Sequence, residues 1–224
     1  MATAKTRTSI VNALMELAAE RRFEDVTLEA IAERAGVTLP ALREAYDGRV
    51  AILADYAARI DQQVLADRDP DMGEEAPRER LFDVLFARLE ALGPDKAAIA
   101  NLLDAGRRDP LLGLALNRIG ATSMAWMLTG AGIDALGARG TVRAQGLAFV
   151  WARTLRVWLG DDDPGLARTM AELDRRLREA ERNYARLERV ARLFRGGRRR
   201  RRASSASGRR GSDDRETGAP TYGE

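Results

Sequence analysis

Residues 27–46, TLEAIAERAGVTLPALREAY, constrain this chain more tightly than any other stretch, because they read as two short helices broken by one sharp turn. Thr27 stands just before Leu28, Ile31, Ala32 and Ala35, an apolar set at helical spacing, so its hydroxyl is placed to cap that helix. Gly36 stops it. Glycine reaches positive φ without a Cβ clash, which lets the backbone reverse after Ala35, while Val37 supplies an apolar plug between the helices on either side. Thr38 is placed to cap a second helix, and Pro40 lies in its first turn, where a missing N–H leaves no bond unmade. Two short helices at a steep angle around a glycine turn form the arrangement that delivers the second helix to a DNA major groove. An ordinary helical corner has the same pattern, so spacing alone leaves both readings open.

Composition narrows the rest. With 224 residues the chain can bury a sizeable core, and abundant Ala, Leu and Arg with only 5% aromatic residues and seven prolines favour helix over strand. The expected fold class is all-α. The chain has neither cysteine nor histidine, which removes disulfides, thiolate zinc sites and the commonest general base and metal ligand. An enzyme is therefore not expected, and no cofactor or metal site is assigned. Asp161, Asp162 and Asp163 adjoin Pro164 in a helix connection, where capping explains them better than acid–base work. No leader-like segment opens the chain and no apolar run reaches membrane-spanning length, so a cytoplasmic location is expected. The formal charge of +3 is unevenly placed. Residues 195–224 hold nine arginines against four acids, and the remainder is close to neutral.

In chain order, residues 1–8 read as a loose polar arm, and Ile10, Ala13, Leu14, Leu17 and Ala18 then form one apolar stripe of a first helix. After Tyr46, Asp47-Gly48-Arg49 marks a turn into a longer helix bearing Ile52, Leu53, Tyr56 and Ile60. The acidic Pro/Gly segment 67–75 reads as a linker. Pro77 begins a helix ended by Gly93-Pro94, Asp95 is placed to cap the next, which closes at Gly106, and Asp109-Pro110 opens a longer one. That longer helix carries apolar residues on all sides, which implies burial nearly all round. Residues 141–159 resume a helical pattern after Gly130, Gly132, Gly137 and Gly140, and a last helix follows Pro164. The expected domains are thus a helix-turn-helix head at 1–48, a connecting helix at 49–66, a larger helical ligand-binding and dimerisation domain at 67–195, and a disordered arginine-rich tail at 196–224.

Phe23, Val26-Thr27, Ile31-Ala32, Ala35-Gly36-Val37-Thr38, Leu42, Tyr46 and Arg49 together resemble the head of the TetR family of bacterial transcriptional regulators. The resemblance implies a three-helix DNA-binding head, a connecting helix, and a C-terminal helical domain that dimerises and answers a small ligand. It further implies that Thr27, Thr38, Leu39, Pro40, Arg43, Tyr46 and Arg49 face double-stranded DNA. Two positions depart from the family pattern. Arg43 stands where a tyrosine is usual and Ala45 where a histidine is usual, and residues 1–50 carry seven basic against eight acidic side chains, a weak match to a polyanion. A second stretch, Val157 to Pro164 with Thr169 and Leu173 to Leu177, is similar to a family of TetR-fold accessory proteins of coenzyme Q biosynthesis, which bind lipid. That likeness implies the alternative function of a membrane-associated lipid-binding protein. Tyr184, Leu187, Val190 and Phe194, flanked by arginines, would supply peripheral membrane contact.

Phe82, Phe86, Met124, Trp126, Met127, Phe149 and Trp151 are the candidates for lining an apolar ligand pocket, and core packing accounts for them equally well. Gly146, Ala148 and Ala152 would let two copies of their helix approach in a homodimer, or simply pack within one subunit. The terminal arginines fit a solvated tail, nonspecific DNA contact or membrane contact.

Overall fold

The computed structural model describes residues 3–68, 73–184 and 186. The first helix, α1 (Ala4–Glu20), starts earlier than the expected polar arm allows, because the Thr3 hydroxyl accepts the Thr6 N–H at 3.2 Å and caps it. Its apolar stripe is buried from Ile10 to Ala18. A 3-10 turn (Phe23–Asp25) leads to α2 (Leu28–Ala35) and α3 (Leu39–Ala45). Both caps read from sequence form, with Thr27 accepting from the Ala30 N–H and Thr38 from the Ala41 N–H. Gly36 adopts φ 65°, ψ 34°, the left-handed conformation that the reversal requires, and its N–H and that of Val37 close the end of α2 on Glu33 and Ala32 carbonyls.

The long helix α4 (Arg49–Ala66) packs against α1, α5 (Pro77–Leu92) and α7 (Pro110–Gly130). Pro77 does sit in the first turn of α5, but Asp95 caps nothing with its side chain. Its carboxylate instead accepts the Tyr56 hydroxyl at 2.8 Å, tying α4 to the 3-10 turn (Gly93–Asp95) before α6 (Lys96–Arg108). Gly106 likewise does not end its helix. A Cβ on the facing Gly113 would lie 2.6 Å from the Gly106 carbonyl oxygen, so these two glycines serve the close approach of α6 and α7. Asp109 caps α7 through the N–H groups of Leu111 and Leu112.

The expectation that α7 is buried nearly all round is corrected: Leu111, Leu114 and Trp126 are 79%, 59% and 54% exposed. One flank meets α4, α5, α6 and α8 (Gly137–Leu159), and the other faces outward in this chain. The helix α8 begins at Gly137, whose φ is 63°, and Gly140 behind it is packed so closely that a Cβ would run into the Ala135 carbonyl. Asp161 then accepts the Thr169 N–H and hydroxyl at 2.9 and 2.7 Å, and Asp163 the Gly165 and Ala167 N–H groups. These acids organise the connection to residues 167–180 (α9), from which Leu173 and Leu177 reach the core.

By contacts the chain divides into two units, Met1–Ala180 and Glu181–Glu224. The second is described only at residues 181–184 and 186, all helical. The expected disordered tail at 196–224 lies outside the described residues. Among the described residues no strand occurs, and no helix is long and apolar enough to cross a membrane.

Candidate functional site

The helix α3 is seven residues long, too short to be stable in isolation, and the only buried residue within it is Leu42. Its cap residue Tyr46 is buried as well, at 5% exposure. The Tyr46 hydroxyl donates to Asp55 of α4, and the Arg7 guanidinium lies 4.4 Å from the ring centre while donating to the Ala45 carbonyl at 3.1 Å. Arg59 adds a second donor to Asp55 at 3.2 Å. Burial, together with the Asp55 carboxylate, pushes the Tyr46 phenol up to about 12. The expectation that Tyr46 faces DNA is thereby revised: its whole polar end is committed to an α1–α3–α4 latch.

Arg49 is half-buried and is also tied inward through one nitrogen of its fork. Its guanidinium donates to the Phe23 and Val26 carbonyls at 2.7 and 2.8 Å and stacks 4.7 Å from the Phe23 ring, pinning the start of α4 to the loop that feeds α2. What faces solvent around the corner is Thr27 at the start of α2, with Thr38, Leu39, Pro40 and Arg43 along α3, and Leu39 is 44% exposed. Arg43 projects outward and pairs with Asp47 one turn on. Ala45, where the resemblance would have a donor, is half-buried against the core. Arg34 of α2 is held by Glu16 and Glu20.

The seven apolar candidates separate by place. Met124, Met127 and Trp151 are core. Phe82 and Phe86 stack on each other with parallel rings 6.3 Å apart, half-buried on α5, and Phe149 is exposed on α8 beside Arg153. Of the seven, Trp126 alone borders a half-open hollow of about 600 Å3 between α4 and α7. Ala54, Ala57 and Ala58 line it from α4, Ile119 from α7, and Asp61 and Ser123 stand in its wall.

Asp61 is one member of a buried cluster. Its Oδ1 accepts from the Arg88 guanidinium of α5 and the Ser123 hydroxyl of α7, and all three residues are at most 5% exposed. Burial pushes the Asp61 carboxyl up and the Arg88 guanidinium down, and the attraction between them offsets part of both effects. The sequence held a faint signal of this cluster: Asp61 falls in the apolar register of α4 with Leu53 and Val64, and Arg88 in that of α5 with Leu81, Leu85 and Leu92. Two opposite charges on core-facing positions of successive helices are a reason to expect a buried pair. The alanines opposite carried no signal, since a small residue reads as helix former until a hollow is seen beside it.

This chain is similar to three solved bacterial regulators. It matches the TetR transcriptional regulator of Nitrosomonas europaea at TM-score 0.61 and 20% identity, over 78% of this chain and 97% of that one. A TetR transcriptional regulator of Rhodococcus sp. RHA1 matches at TM-score 0.55 and 18% identity, over 79% and 95%. A TetR-family regulator of Streptomyces coelicolor gives TM-score 0.51 and 14% identity, over 80% of each. The fold is the TetR-regulator fold. No family model matches the chain, and no curated protein does. Nothing in these likenesses extends to the coenzyme Q accessory proteins, and residues 187–194, to which peripheral membrane contact was assigned, lie outside the described residues.

Proposed function

We propose that this TetR-fold protein is a dimeric, ligand-responsive DNA-binding transcriptional regulator. The observation that carries the reading is the outward face of α3. A short helix is presented beyond a Gly36 turn, locked beneath by Leu42 and Tyr46, and shows Thr38, Leu39, Pro40 and Arg43 to solvent. That is the geometry in which a recognition helix enters a major groove. Thr27 adds a hydroxyl at the start of α2, within the same corner. Arg43 is the residue assigned to base or phosphate contact, since its planar fork suits either a guanine edge or a phosphate. In this reading residues 1–48 are the head, 49–66 the connecting helix and 67–195 the ligand-binding and dimerisation part.

Dimerisation is assigned to the outer face of α8, where Val142, Gly146 and Phe149 recur at helical spacing and are exposed. Ala148 is buried within the subunit and is left out of that face. Two heads would then read half-sites about 34 Å apart or a multiple of that spacing. A ligand acts by binding one head spacing better than another.

Mobility-shift titration against DNA flanking the protein's own coding region, at moderate salt, tests the reading. A sequence-selective shift that Arg43→Ala weakens by about 1–3 kcal/mol is expected. A chain that shifts all duplexes alike, or an Arg43→Ala variant that binds as the parent does, overturns it.

A further inference from the structure

A helix that enters a major groove works in the field of two phosphate backbones, and α3 is poorly charged for it. Residues 38–47 hold one cation, Arg43, against Glu44 and Asp47, and Arg43 is paired with Asp47. Cations for the backbone must then come from neighbouring elements. Most of those in the head are engaged. Arg34 donates twice to the Glu20 carboxylate, at 2.7 Å each, and once to Glu16. Arg22 pairs with Glu24, and Arg49 is tied to the Phe23 and Val26 carbonyls. Arg7 of α1 differs. One terminal nitrogen donates to the Ala45 carbonyl at the end of α3, at 3.1 Å; among the described residues the other makes no hydrogen bond, and the side chain is 39% exposed. The Tyr46 ring, its centre 4.4 Å away, supports the guanidinium. Asp55 lies 3.6 Å from its Nε, but that carboxylate also accepts from Tyr46 and Arg59, so the group of two arginines and one aspartate stays net positive. The first turn of α1 adds Lys5 and no acid.

We propose that Arg7 contacts the DNA backbone: the second terminal nitrogen of its fork donates to a phosphate beside the C-terminal end of α3. The first nitrogen and the Tyr46 ring keep the guanidinium at that end meanwhile. This rests on the regulator reading and adds to it a residue from outside α2 and α3. A guanidinium already held on two sides loses little side-chain entropy when it meets the phosphate. Because a phosphate contact carries no base information, Arg7 sets the register and strength of docking and not the choice of operator.

The full chain is titrated by fluorescence anisotropy, over a series of salt concentrations, against two labelled duplexes. One comes from the region flanking its own coding sequence and the other has unrelated sequence. Arg7→Gln is expected to weaken both by the same factor, about two- to fivefold for each head engaged, the value of a partly exposed ion pair. The slope of log K against log salt should flatten by about 0.9 per head. Arg7→Lys keeps the charge and should keep the parent slope. Arg118→Gln, on α7 and outside the head, removes an equal charge and should leave the slope alone. Should Arg7→Gln not fold, Arg7→Met, which keeps an apolar stem against Tyr46, is judged by the same slope. A folded variant with the parent slope would show that Arg7 only props α3, and the proposal falls. It falls also if the loss is confined to one duplex, or if Arg118→Gln flattens the slope as much. A parent that binds neither duplex overturns this proposal and the regulator reading together. Selective binding that Arg43→Ala weakens and Arg7→Gln does not keeps the reading and loses the proposal; equal binding of both duplexes that Arg7→Gln weakens does the reverse.

Discussion

Tyr46 shows how one side chain can hold a working surface without belonging to it. Its hydroxyl is spent on Asp55, its ring is covered by Arg7, and its backbone closes α3 on the Leu42 carbonyl. Tyr46→Phe should cost about 1.5–3 kcal/mol of unfolding free energy at neutral pH, the value of a hydrogen bond to a charged acceptor, read by urea denaturation. The pH dependence has a definite sign. The folded state holds the phenolic proton up to about 12 while the unfolded chain releases it near 10, so the latch contributes fully below pH 10 and is lost as pH rises toward 12. Repeating the denaturation at pH 11 should therefore show the parent losing stability that Tyr46→Phe does not lose. Arg43 is the opposite case, an exposed side chain paired with Asp47, which in the proposed DNA complex would have to release it. Asp47→Asn should lower the DNA Kd by about two- to threefold, since exposed i,i+4 pairs are weak. An unchanged or weakened shift would show that Asp47 plays no competing part. Sequence patterning could name Arg43, Tyr46 and Arg49 as one set of polar and aromatic groups near the corner. It could not sort them, because which of them finds a carbonyl or carboxylate behind α3 depends on where α1 and α4 pass.

At the scale of the element, the corner was legible because each part answers to local chemistry. A hydroxyl before an apolar run, a glycine at a forced positive φ and a proline in a first turn act within a few residues of themselves, so Thr27, Gly36, Thr38 and Pro40 appear where the pattern places them. Asp95 failed the same logic because a distant phenol, Tyr56, competes for its carboxylate. The stability of α3 is likewise not local. Seven residues cannot sustain a helix unaided, and Leu42 is its one wholly buried anchor. Leu42→Ala is expected to cost about 2–5 kcal/mol, by removing a fully packed side chain and leaving a void. DNA affinity should fall with it even though Leu42 touches no base. Circular dichroism melts alongside mobility shifts will separate this from a contact effect, for Arg43→Ala should leave the melt unchanged.

For the whole molecule, the apolar residues left on the surface are as informative as those within. Val142 and Phe149 on α8 are 60% and 59% exposed in the single chain, flanking Gly146, where an added Cβ would meet nothing. A Val142→Asp, Phe149→Asp double variant should run as a monomer by light scattering, and its operator affinity should drop by orders of magnitude as the two-site linkage is lost. A monomeric parent chain would remove that interface from the reading altogether. What the sequence determined by itself was the helical class and the turn chemistry between helices, because periodicity, capping and glycine conformation are fixed within a dozen neighbouring residues. Even there α1 reached back to Ala4 and α7 proved buried on one side only, since both depend on what packs alongside. Tertiary structure alone decided that Arg88 and Asp61 meet in the core, that three alanines of α4 face a hollow, and that Tyr46 turns inward. Each of those outcomes is set by distances between segments far apart in the chain, and so is the presentation of the corner at residues 27–46, whose exposed face exists only because α1 and α4 hold its other side.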